Sequence, residues 1–246
     1  MGKKKVKLKK KVKLTIYSFV LLSIISIYIL FSSTMFNLNN IELDGNKRLT
    51  KEDIIKYGSI SLNENLFQYK LNKIEKQLKE NSYIKSVKVK RKFPNRLYIA
   101  IEEYEENAII SINNKYVVIN KSGKILSEED KVINKYIPII YNANIEQCKV
   151  GSGIKLEDNV IKEKLLYLLE CIYNNNLNRD IKSIKLNKDY IEMVNDDSIK
   201  ISMNLDDYIE YNTKRLSSIM VDLKSKNIKT GNLDIRNKEQ GVYSPL

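Results

Sequence analysis

The chain has 246 residues with 43 Lys and Arg against 30 Asp and Glu, a net charge of +13, two cysteines, and neither histidine nor tryptophan. The lack of histidine excludes Ser-His-Asp and Cys-His nucleophilic sites and any histidine-ligated metal, and two thiols in a chain of this length make no disulfide framework. Eight of the basic residues fall within the first thirteen positions, which leaves 35 against 30 elsewhere, so the body of the protein is only mildly basic.

Those eight are Lys3, Lys4, Lys5, Lys7, Lys9, Lys10, Lys11 and Lys13, and no charge follows until Glu42. Residues 14–36 form an apolar run. At about 1.5 Å rise per residue, such a run is long enough to cross a hydrocarbon core of ~30 Å as one transmembrane helix. Lysines beside a span mark its cytoplasmic flank, so residues 1–13 are expected inside and the rest outside. Attraction to anionic lipid accounts for this lysine run more simply than nucleic-acid binding does. The rival reading is a cleavable signal peptide. Ser32, Ser33 and Thr34 are small enough for a cleavage site, but the run exceeds the usual apolar stretch and contains no A-x-A-like triplet.

About 205 residues remain, enough for two modest domains, read here as 37–105 and 106–246. In the first, residues 38–43 make a strand candidate that runs into the turn Asp44-Gly45-Asn46. Thr50 with Asp53 three residues on is a capping-box variant, and Gly58 offers a left-handed closing position, so residues 51–57 are expected as a helix. A second helix spans about 69–80, with Leu71, Ile74 and Leu78 on one face. The period then switches to two. Val87 and Val89 alternate with lysines, and Leu97, Ile99 and Ile101 alternate with Tyr98, Ala100 and Glu102, on either side of a turn at Phe93-Pro94-Asn95. The order β-α-α-β-β makes an α+β module, a mixed sheet with its helices on one face.

Several of these strings, in this order, resemble the POTRA module of the FtsQ/DivIB family of bacterial cell-division proteins. They are Ile41-Glu42-Leu43-Asp44-Gly45-Asn46, Asn65-Leu66-Phe67, Ile84-Lys85-Ser86-Val87 and Phe93-Pro94-Asn95-Arg96-Leu97. The resemblance continues through Tyr116-Val117-Val118-Ile119 and Ile137-Pro138-Ile139-Ile140 to Lys214-Arg215-Leu216 and Leu233-Asp234-Ile235-Arg236, and so covers nearly the whole chain.

Apart from the family, residues 108–112 and 116–119 read as a hairpin about Asn113-Asn114, and Lys121-Ser122-Gly123 turns the chain again. Ile161, Leu165, Leu168, Leu169 and Ile172 lie at helical spacing within 160–173. Strands are expected at 181–186, 190–194 and 198–203. A helix carrying Leu216, Ile219, Met220 and Leu223 follows, and a last strand at 232–236. The second domain is thus expected to be mixed, mostly antiparallel and β-rich, with two helices. Cys148 lies in a polar stretch and Cys171 on the helical pattern. An exported location permits them to pair, and two unpaired thiols are the alternative.

Catalytic signals are few. Neither a phosphate-binding loop nor a nucleophile elbow occurs. The acidic pairs Glu102-Glu103, Glu105-Glu106, Asp196-Asp197 and Asp206-Asp207 invite comparison with wall hydrolases, but adjacent residues on a strand face opposite ways, and glycoside hydrolysis needs two facing carboxyls. No enzyme activity, cofactor, metal or small-molecule substrate is expected. Binding is. The strand at 232–236 has an apolar face, Leu233 and Ile235, and a charged face, Asp234 and Arg236. An open sheet edge there would accept a partner's strand. The family resemblance implies that the last strands receive an FtsB/DivIC-like partner, implicating Leu233, Asp234, Ile235 and Arg236 with Val242 and Tyr243 beyond. On this reading Ile235→Asp removes partner capture and leaves thermal stability unchanged. Some members of the family have an aromatic residue directly after Asp-x-Arg, where this chain has Asn237. The resemblance further implies a non-enzymatic divisome scaffold at the septum that also engages FtsL-like proteins and septal wall synthases. The alternative is a POTRA-type chaperone or accessory component of protein export or envelope maintenance. Lys47, Arg48, Lys51, Arg91, Lys92 and Arg96 form a basic rim suited to lipid headgroups, wall anions or a partner, with a plain solvated rim as the alternative.

Overall fold

The computed structural model describes residues 10–188, 190–237 and 239–245. The first nine residues of the expected basic tail therefore lie outside the described residues. Helix α1 runs Lys10–Phe31, and its stretch Val12–Phe31 is apolar and long enough to cross a membrane, with none of it buried by the protein. The end of the apolar run does not continue this helix. Ser33 instead accepts a hydrogen bond from the Met35 amide and starts a 3₁₀ turn, Thr34–Phe36, because a short hydroxyl side chain competes well for backbone donors.

The chain divides into two compact units, one comprising the residues up to 80 together with 84–103, the other 81–83 with 104 onward. In the first unit, β1 (Asn40–Asp44), α2 (Lys51–Tyr57), α3 (Leu71–Lys79), β2 (Ile84–Lys92) and β3 (Arg96–Glu103) follow in the expected order. The sheet order is β1-β3-β2, with β1 parallel and β2 antiparallel to the central β3. Leu97, Ile99 and Ile101 of β3 and Val87 and Val89 of β2 are buried, as are Ile54, Ile74 and Leu78 from the helices. Burial on alternate strand positions and at three- and four-residue helical steps is what sets this core.

The start of α2 is a full capping box. The Thr50 hydroxyl accepts from the Asp53 amide at 3.2 Å, and the Asp53 carboxylate accepts from the Thr50 amide at 3.0 Å. The Thr50 amide, and the Thr50 hydroxyl at 2.8 Å, both donate to the Asp53 carboxylate and hold its carboxyl below the ordinary range. Gly58 departs from expectation. It caps α2 with a right-handed φ of −75°, and the positive φ falls on Ser59 at 48°. A Cβ on Gly58 would come 2.9 Å from the Ile54 carbonyl oxygen and 3.1 Å from the Ile60 side chain, so close approach rather than handedness favours glycine.

The paired acids of this unit are structural. The Glu103 carboxylate accepts the backbone N–H groups of Lys47, Arg48 and Leu49 at 3.1, 2.8 and 3.1 Å, fixing the turn after β1. Its neighbour Glu102 meets Lys85 at 2.5 Å and Ser86 at 3.1 Å. Most of the basic rim is likewise engaged within the domain. Lys92 and Arg96 pair with Glu42 at 2.6 and 2.5 Å, Lys51 donates to Asn40 at 2.9 Å, and Arg91 donates to the carbonyls of Leu66 and Tyr69 at 3.0 and 2.6 Å.

The second unit is built on one nine-stranded sheet. Its strands are β4 (Ala108–Ile112), β5 (Lys115–Ile119), β6 (Ile125–Glu129), β7 (Ile139–Tyr141), β10 (Ile181–Leu186), β11 (Tyr190–Asn195), β12 (Ile199–Asn204), β13 (Gly231–Asp234) and β14 (Val242–Ser244). The short pair β8 (Ile145–Gln147) and β9 (Lys155–Leu156) stands apart from it. The sheet order is β14-β13-β12-β11-β10-β7-β4-β5-β6. The β4–β5 hairpin turns on Asn113 and Asn114, whose φ values of 44° and 65° make the left-handed pair that matches strand twist in a two-residue loop. Helices α4 (Asn159–Asn174) and α5 (Ile209–Ser225) pack against each other, and their buried residues, including Leu165, Leu168, Leu216 and Met220, join the sheet's inner face in one core. Both cysteines are free thiols, and burial pushes the Cys171 thiol upward. The strands β6, β8, β9 and β14 were not expected from the sequence.

Candidate functional site at the terminal strands

Of the six residues singled out for partner binding, Leu233 and Asp234 lie on β13, Val242 and Tyr243 lie on β14, and Ile235 and Arg236 follow directly on β13. Strand β12 pairs in parallel with β13, and β13 pairs antiparallel with β14 in the register Asn232↔Ser244, Leu233↔Tyr243 and Asp234↔Val242. The regular strand ends at Asp234, although the Ile235 amide still donates to the Ser202 carbonyl at 2.9 Å.

Two expectations need correcting. The strand at 232–236 offers no open edge, because β12 and β14 flank it on its two sides; the edge on this side of the sheet is β14. Edge status depends on strand order, which is a long-range property that a local alternation pattern does not contain. Ile235 also fails as a surface probe. It is 0% exposed and, with Leu233 at 2%, belongs to the main core.

The other four residues remain accessible. Arg236 wraps Asp234, with Nε at 3.0 and 3.1 Å from its two carboxylate oxygens and Nη2 at 2.5 Å, and its guanidinium lies 5.4 Å from the ring centre of Tyr190. Asn204 on β12 donates to the Arg236 carbonyl at 3.0 Å, and Arg215 on α5 donates to the Asn237 carbonyl at 2.8 Å. Val242 is exposed. Tyr243 is half-buried, and its hydroxyl donates to the Thr230 carbonyl at 2.5 Å while its ring covers Gly231. The arrangement is an edge strand with one apolar side chain outward and a fixed ion pair beside it. It suits recognition by backbone pairing and shape.

Tyr190, Asn204, Arg215 and Gly231 take part in this site and were missed in the sequence. Each meets it across strands or from a helix, so no spacing along the chain reveals them. Among the described residues no group of three or more Cys, Asp or Glu side chains is placed to hold a metal ion.

The Arg236 guanidinium holds the Asp234 carboxyl below its ordinary 3.8. Below pH 3.8 the unfolded chain therefore binds more protons at this position than the folded one. The clasp's contribution is in place above 3.8 and is lost as pH falls through the depressed folded value. Asp234→Asn is expected to flatten the lowest part of the acid unfolding curve and to leave the neutral region nearly unchanged, since exposed pairs contribute only about 0.2–1 kcal/mol. An acid limb identical in wild type and variant would refute this assignment.

Residues 36–104 match the POTRA domain family of FtsQ type. Cell division protein DivIB of Clostridium tetani is 28% identical over 170 residues, 69% of this chain and 64% of that protein. DivIB of Clostridium botulinum is 27% identical over 152 residues, 62% of this chain and 59% of that protein. Cell division protein FtsQ of Syntrophotalea carbinolica is 26% identical over 210 residues, 80% of this chain and 70% of that protein. The matched region thus spans less than two thirds of the length of the two clostridial relatives. Among solved structures, the major extracytoplasmic domain of DivIB from Geobacillus stearothermophilus aligns with a TM-score of 0.36 and 11% identity, covering 50% of this chain and 97% of that one.

An apolar helix followed by a POTRA domain and a β-rich α+β domain defines a protein class suited to membrane anchoring and protein contact. Residues 36–104 are a POTRA domain of FtsQ type, and the chain as a whole is similar to bacterial cell-division proteins named DivIB and FtsQ.

Proposed function

We propose that the protein is a non-enzymatic scaffold of the divisome, anchored by α1 with residues 1–13 in the cytoplasm and the domains at 37–105 and 106–246 outside. Through the second domain it captures FtsB/DivIC-like and FtsL-like partners and thereby assembles and regulates septal wall synthesis. The observation that carries this reading is the edge strand β14, which ends the nine-stranded sheet and presents Val242 outward beside the Asp234–Arg236 clasp. A strand from a partner gains main-chain hydrogen bonds on such an edge, and the flanking side chains select it. The lysine-rich start supports the orientation.

The test is the position of an amino-terminal fluorescent fusion in dividing cells of the source bacterium. A band at the septum is expected. Even distribution around the membrane by an intact, functional fusion would overturn the divisome assignment in favour of an export or envelope-maintenance role.

A further inference from the structure

The end of α1 is bound tightly into the first unit. The Asn65 side-chain amide donates to the Phe31 carbonyl at 2.8 Å, the Leu66 amide donates to the Phe36 carbonyl at 2.8 Å, and the Leu38 amide donates to the Glu64 carbonyl at 2.8 Å. A chain of rings follows the same path. Phe31 packs edge-on against Phe67 at 4.6 Å between centres, Phe36 meets Phe67 at 5.2 Å, and Phe67 meets Phe93 at 5.6 Å. Arg91, bonded to the Leu66 and Tyr69 carbonyls, braces the segment that carries Phe67.

One face of this cluster is bare. Phe93 is 58% exposed at the tip of the β2–β3 turn. Beside Phe67 opens a groove of about 600 Å³ lined by Lys70 and Lys73, whose amines make no ion pair among the described residues. An exposed phenylalanine is unfavourable in bulk water, and a ring with lysine amines beside it suits the boundary between acyl chains and headgroups.

The span fixes the depth of that face. The 20 residues Val12–Phe31 extend about 30 Å, which matches the hydrocarbon core and puts Phe31 at its outer boundary. The two ring-to-ring steps keep the centre of Phe93 within about 10 Å of Phe31. The headgroup layer beyond the hydrocarbon is about 5–7 Å deep, so the aromatic cluster lies within reach of it.

We propose that Phe67 and Phe93, with Lys70 and Lys73, form a seat on the outer leaflet, the rings entering the acyl boundary and the amines holding the phosphate of an anionic phospholipid. The seat rests on the membrane-anchor reading of α1. It holds the POTRA domain against the bilayer instead of leaving it suspended on a tether.

The absence of tryptophan makes the test direct, since Phe93→Trp gives the full chain a single indole. The variant is reconstituted into phosphatidylglycerol-containing vesicles with lipids brominated on the upper acyl chain. Blue-shifted emission, quenching by the brominated lipid and protection from aqueous iodide are expected. In this background Lys70→Ala/Lys73→Ala is expected to lower the seated-to-free ratio by about fivefold for each lysine removed. The contribution of these amines is likewise expected to vanish in phosphatidylcholine. A chain that resists alkaline extraction while its indole stays iodide-accessible and unquenched overturns the seat and leaves the anchor standing. Quenching that is insensitive to the double substitution overturns the phosphate contact. Release of the chain by the alkaline wash removes the anchor and the seat together.

Discussion

Ile235→Asp is expected to unfold the second domain. The side chain has no exposed surface and sits among the buried residues of α4, α5 and the central strands. Its backbone amide is committed to Ser202, so the segment cannot turn outward without losing that bond as well. A carboxylate there is taken out of water into a site packed by apolar side chains, and burying a charge in the core belongs to the short set of changes that cost more than about 4 kcal/mol. Domains of this size hold only about 5–15 kcal/mol in total. Loss of the cooperative thermal transition of this unit, or its rapid cleavage in limited proteolysis of the detergent-solubilised chain, is the outcome to look for. Ile235→Val, at about 0.5–1.5 kcal/mol, serves as the conservative companion. Wild-type melting of the Asp variant would show that the packing described for β13 is wrong. Partner capture lost in Ile235→Asp therefore reports on folding. Val242 and Arg236 are the positions at which a loss reports on contact.

The second large effect is expected at Gly231. Its φ of +145° is strained for any side chain, and a Cβ there would lie 2.5 Å from Cε2 of Tyr243. Gly231→Val must push the Tyr243 ring away and so break the bond from its hydroxyl to Thr230. Backbone strain and overpacking each cost about 1–3 kcal/mol. Strand β14 is only three residues long, and its net hydrogen-bond contribution is of the order of 1 kcal/mol per bond, so it is expected to detach while β4 to β13 stay folded. Amide exchange at 242–244 should rise to nearly unprotected rates, and binding of an FtsB/DivIC-like partner should be lost. Full partner affinity with β14 detached would remove this strand as the receiving edge.

The parts of the fold written in short-range chemistry were legible. The start of α2 follows from Thr50 and Asp53, and the β4–β5 hairpin follows from two asparagines between two apolar runs. Strands β8, β9 and β14 were not, because two or three residues carry no periodicity and exist only through partners elsewhere in the chain. The alternation of Leu233 and Ile235 against Asp234 and Arg236 correctly sorted inward from outward side chains. It said nothing of what lay beside the strand. The segment was therefore sorted correctly by face and misjudged as an edge. The anchor's end shows the same limit: apolar composition continues to Phe36, whereas the helix stops at Phe31, where Asn65 and Phe67 of the folded unit take hold of it.

The centre of the large sheet imposes an order on its making. Strand β7 is paired in parallel with both β4 and β10, so it joins a front half, β4 to β6, to a back half, β10 to β14. During synthesis the front half appears first and waits with β7 open along one side until Ile181–Leu186 emerges. An unpaired run of apolar strand is an invitation to neighbouring chains. The three-residue length of β7 keeps that invitation small, which gives a reason, independent of any partner, for the strand at the middle of the sheet to be so short.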